Sequence, residues 1–107
     1  MFRPLAAALT TASLIASPVM ATATDKNERA YTLTLMCAAV AAYYQNDADI
    51  TRTMDAARKM ARVQNLSETR LSDDLFKMTN ALGAELRQNP NAMDEDRAVC
   101  RKLGLVS

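Results

Sequence analysis

The sequence predicts an all-α fold: a small four-helix domain closed by one disulfide. Three observations carry that reading. Residues 31–44 hold no charged side chain over about four turns, so a helix formed there is apolar on every side and belongs at the centre of a bundle. Leu71, Leu75, Met78, Leu82 and Leu86 fall within about 80° of one another at 100° per residue, a narrow seam of helical period. Cys37 and Cys100 are the only cysteines, and the first of them lies inside the uncharged stretch.

The first 23 residues read as a cleavable signal peptide. Met-Phe-Arg is a short basic start, Leu5 to Ile15 an apolar and small-residue run, Pro18 a breaker, and Ala21-Thr22-Ala23 a small-x-small cleavage site. Cleavage after Ala23 or after Ala21 fits the pattern. The run is shorter than the ~20 apolar residues of a spanning helix, so no membrane span is expected after cleavage. The style is bacterial, which places the mature chain in the periplasm or outside the cell. Residues 24–107 then form one helical domain. Removing residues 1–23 removes Arg3 and leaves equal numbers of acidic and basic groups. A neutral chain lacks the basic excess of a general nucleic-acid binder.

A domain this small has only a few kcal/mol of net stability from its core. An oxidising compartment would let Cys37 and Cys100 form a structural disulfide, worth about 4 kcal/mol in the chain-entropy model. The wide spacing is unlike a redox or metal C-x-x-C pair.

Taken in order, the first helix is capped by Thr24 or Asp25, with Glu28 three residues beyond Asp25, and runs to about Gln45. Asn46-Asp47-Ala48-Asp49 is a cluster of turn and cap residues, and Asp49 or Asp47 suits the positive end of the next helix dipole. The second helix spans about Ile50 to Gln64, with Ile50, Met54, Ala57 and Ala61 in one lane and Arg52, Asp55, Arg58, Lys59 and Arg62 on the other face. Asn65 terminates it and Ser67 caps the third helix, about Glu68 to Gln88. Asn89-Pro90-Asn91 stops that helix. Asn91 caps a fourth, about Ala92 to Leu103, closed by Gly104, with Ala92, Val99 and Leu103 as its apolar face and Met93 and Cys100 at one edge.

The catalytic inventory is thin. With no histidine in the chain, the usual neutral-pH base, the Ser-His and Cys-His pairs and most zinc and copper sites are missing. Two distant glycines cannot make a phosphate loop. Asp73-Asp74 and Asp94-Glu95-Asp96 sit near helix starts, where acids serve the dipole. The methionines of the mature chain lack the close repeats of a Cu(I) site and read as core filler. No enzyme activity, metal or cofactor is expected.

Two surface features remain. Arg52, Arg58, Lys59 and Arg62 make one face of the second helix basic, either paired with neighbouring acids or meeting an acidic partner. Phe76 lies roughly 100° off the leucine seam beside Ser72, Thr79 and Gly83, either packing on the first helix or anchoring a partner. One of Tyr43 and Tyr44 is expected to reach solvent. The leading expectation is an exported, non-catalytic protein-interaction module of inhibitor, immunity or accessory-subunit type. Its partner would be another envelope or secreted protein, or a second copy of itself. The alternative is a small apolar-ligand or lipid carrier with a pocket lined by Met and Tyr.

Overall fold

A computed structural model describes residues 26–107. The leader predicted over residues 1–23 and the caps Thr24 and Asp25 lie outside the described residues. Four helices follow one another: α1 (Lys26–Tyr43), α2 (Asp47–Val63), α3 (Glu68–Gln88) and α4 (Ala92–Lys102), with no strand among the described residues.

The uncharged stretch does occupy the centre. α1 packs on all three other helices, most extensively on α2. Small side chains face each other there, with Ala38, Ala41, Ala57 and Ala61 all buried. The late part of α2 meets the early part of α1, since Ala57 and Ala61 cluster with Tyr31 and Leu35. α3 runs alongside α1 in the same direction, because Tyr31 and Leu35 cluster with Leu71 while Val40 clusters with Leu82. α4 returns antiparallel: Asp94 meets Tyr44, and Cys100 bonds Cys37. The result is an up-down-up-down arrangement with two core clusters, one at each end of α1.

The disulfide Cys37–Cys100 closes a loop across a separation of 63 residues, with its Cα atoms 5.6 Å apart, inside the usual span. Both cysteines have no exposed surface. Met93 and Val106 pack beside them and complete that cluster.

Helix ends obey local chemistry. α1, α2 and α4 each finish in a paired turn: Asn46 N–H donates to the Ala41 carbonyl, Leu66 N–H to Ala61, and Leu105 N–H to Cys100. Each turn needs one left-handed residue, and Gln45, Asn65 and Gly104 supply it at φ of 55°, 59° and 74°. Ser67 caps α3 as expected, accepting from Arg70 N–H at 3.0 Å.

Three expectations need correction. α2 starts three residues before Ile50, because Asn46, held by the turn that ends α1, accepts from Asp49 N–H at 3.0 Å and becomes the cap. Asn91 makes no side-chain cap. Instead Asn89 Oδ1 accepts from Asn91 N–H at 3.1 Å, and the Asn89 amide donates to Glu95 at 3.3 Å. The apolar face of α4 is also turned: Val99 and Leu103 are exposed, while Ala92, Met93 and Cys100 are buried. The bond from Cys100 sets that rotation, and it carries Asp96, one turn earlier on the same side, toward the interior.

Candidate functional site

Two separate surfaces on α3 hold the candidate residues. One is a half-open groove of about 320 Å³ between α1 and α3, closed at one end by the α2–α3 loop. Its floor is apolar: Tyr31, Leu35, Leu66, Met78 and Ala81. Glu28, Thr32, Gln64, Arg70, Asp74 and Lys77 line its polar rim. The gap exists because Ala81 and the side of Met78 face α1 where a larger residue would fill the space.

Inside the groove the polar groups are ordered by one carboxylate. Asp74 Oδ2 accepts from the Tyr31 hydroxyl at 2.8 Å and from Arg70 Nε at 2.8 Å. Burial, and then the bond to Asp74 and its charge, push the Tyr31 hydroxyl well above the ordinary tyrosine range. Tyr31 is therefore a permanent hydrogen-bond donor and not an acid or base at neutral pH. Among the described residues, no group of His, Cys, Asp and Glu is gathered to hold a metal ion.

The other surface is the outer side of α3. Phe76 is 68% exposed and does not pack on α1. Gly83 opens onto empty space, with nothing within 4 Å of where a Cβ would stand. Glu68, Ser72 and Phe76 follow at i, i+4 and i+8, so they share one lane. Arg58 of α2 reaches Glu68 at 3.9 Å and Asp55 at 3.8 Å. That contact joins the basic face of α2 to the lane that carries Phe76. Arg52 is turned elsewhere, donating to Asp49 at 2.9 Å. Among the described residues Lys59 and Arg62 have no ion-pair partner, so the basic face is only partly neutralised.

Spacing along the chain marked Phe76 and the basic face of α2 as two separate features and did not show the groove. It also missed Asp49, which is buried and accepts from Arg52, from Ser107 N–H at 3.1 Å and from the Ser107 hydroxyl. Asp49 belongs to the core, not to either surface. At the far end of α1, Tyr43 is half-exposed and meets Tyr44 edge-on at 5.1 Å. The Tyr44 hydroxyl donates to Asp94, and the Arg97 guanidinium lies 4.3 Å over the Tyr44 ring.

No protein-family model, curated protein or solved structure matches the chain.

Proposed function

We propose that the chain is an exported, non-catalytic protein-binding module that docks through Phe76 and the adjoining basic face of α2. The observation that carries this reading is the exposure of Phe76 on a lane of small and polar residues. A large aromatic standing clear of the core gains most by entering a pocket on a partner, where such residues concentrate binding energy. Arg58, which reaches Glu68 two turns before Phe76, and Lys59 and Arg62 on the same helix favour a partner whose surface also carries carboxylates. A disulfide in a small domain supports an oxidising location, the bacterial periplasm or the exterior, after loss of residues 1–23. Thermal rigidity from that bond would keep the docking face in one shape.

The test is site-specific crosslinking in the producing cell. A photoreactive residue at position 76 should give one discrete protein adduct, absent when the same residue replaces Lys102. Arg62→Glu should remove the adduct while leaving the melting temperature unchanged. No adduct from position 76 beyond the Lys102 control would overturn the reading.

The groove favours a second reading, a carrier for a small apolar ligand. Its volume lies at the lower end of the range for small-molecule sites, and its floor is apolar with a few convergent polar groups.

A further inference from the structure

We propose that the α1–α3 groove binds a small amphiphile with an anionic head, the head against Lys77 and the chain over Leu35, Met78 and Tyr31. This names the ligand class for the carrier reading and rests on it. The floor asks for an apolar body, and the charges on the rim decide what the body carries. Four ionised side chains line the groove. Arg70 and Asp74 neutralise each other at 2.8 Å, with the Tyr31 hydroxyl on the same oxygen. Glu28 lies in the first turn of α1, where the positive end of the helix dipole offsets its charge.

Lys77 differs from all three. It stands in the middle of α3, three residues beyond Asp74, far from any helix end. Among the described residues it has no ion-pair partner. α3 runs parallel to α1, so Lys77 and Glu28 sit at opposite ends of the groove. A ligand lying along it meets an unmatched positive charge at one end and a dipole-shielded acid at the other. Lys77 and Arg70 are seven residues apart on α3, which spans about 10 Å of groove at 1.5 Å per residue. That length and the modest volume suit a medium-chain carboxylate such as decanoate. A cationic amphiphile would bring like charge to Lys77, and an uncharged one would leave the ammonium unmatched.

Calorimetric titration of the oxidised chain with decanoate, decanol and decylammonium tests this. Decanoate should bind about tenfold more tightly than decanol, the worth of one charge-assisted contact, and decylammonium more weakly than either. Lys77→Met keeps the apolar stem of the side chain. It should erase the preference for decanoate while leaving decanol binding and the melting temperature unchanged. Ala81→Phe, which fills the groove from its floor, should abolish binding of both. Equal binding of decanoate and decanol, or a preference that survives Lys77→Met, would overturn the anionic-head assignment and leave the carrier reading standing. If none of the three bound, both readings would be overturned.

Discussion

The two ends of α1 are built from the same helix yet tolerate different faults. At the Cys37 end the core is closed by a covalent bond, and around it sit features that a small domain normally avoids. Asp96 has a carboxylate oxygen that is buried without a hydrogen-bond partner. Gln45, with a full side chain, holds a left-handed conformation. At the Tyr31 end there is no covalent closure, and the corresponding choices are conservative. The part-buried Tyr31 hydroxyl, Asp74 and Arg70 satisfy one another, and the left-handed turn residue is Asn65, a residue type that accepts this conformation. A strong local constraint thus leaves room for poor local choices nearby, whereas an end held by packing alone depends on getting each group right.

The largest test of that contrast is to remove the bond. Cys37→Ser with Cys100→Ser should lower stability by about 4 kcal/mol, a fall of about 20 °C in melting temperature for a domain of this size. Thermal melts followed by circular dichroism measure it, and a fall of only a few degrees would mean that packing holds the Cys37 end by itself.

Asp96 offers a sharper probe. Burial first, and then the charges of Glu85 and Glu95, raise its carboxyl to about 6 from an ordinary 3.8. Between those values the folded chain keeps a proton that the unfolded chain has lost, so the Asp96 contribution to stability falls as pH rises through that window. The loss is complete above about pH 6. Asp96→Asn should therefore stabilise the protein at pH 7 by about 1 kcal/mol, after allowing for solvent screening of a half-buried group, and should make little difference below pH 4. Denaturant titrations at several pH values distinguish this from a uniform change.

The smallest effect compares the two turns directly. Gln45→Gly relieves a left-handed side chain and should add about 0.5 kcal/mol, the gain being reduced by the extra freedom of glycine in the unfolded chain. Asn65→Gly should add less. Equal gains at both positions would show that the ends do not differ in this respect.

Much of the fold was legible because it depends on local period and on turn chemistry. The spacing of Leu71 to Leu86 marked α3, Ser67 and Asn89-Pro90 marked its limits, and Asn65 and Gly104 marked the ends of α2 and α4. Two cysteines allow only one intramolecular pairing, which made Cys37–Cys100 readable. What period cannot supply is the rotation of a short helix whose neighbours decide it. On α4, Val99 and Leu103 looked as suitable for the core as Met93 and Cys100, and the disulfide chose between them. The cluster Asn46 to Asp49 held several possible starts for α2; the turn that ends α1 made Asn46 the cap, and Asp49 entered the core. The groove was hidden for another reason. It comes from the space left where Ala81 and Met78 approach α1, and spacing along one chain does not record gaps between two helices. Phe76 was visible as an oddity, but its exposure depended on where α1 lies.

The complete burial of both sulfurs bears on how the bond is made and unmade. Neither an oxidant nor a dissolved thiol can touch them while α4 is seated. Oxidation must precede or accompany the final packing around them, and reduction must wait for that packing to open. The rate at which a mild reductant cleaves the native protein is therefore a clock for partial opening of the bundle around that bond.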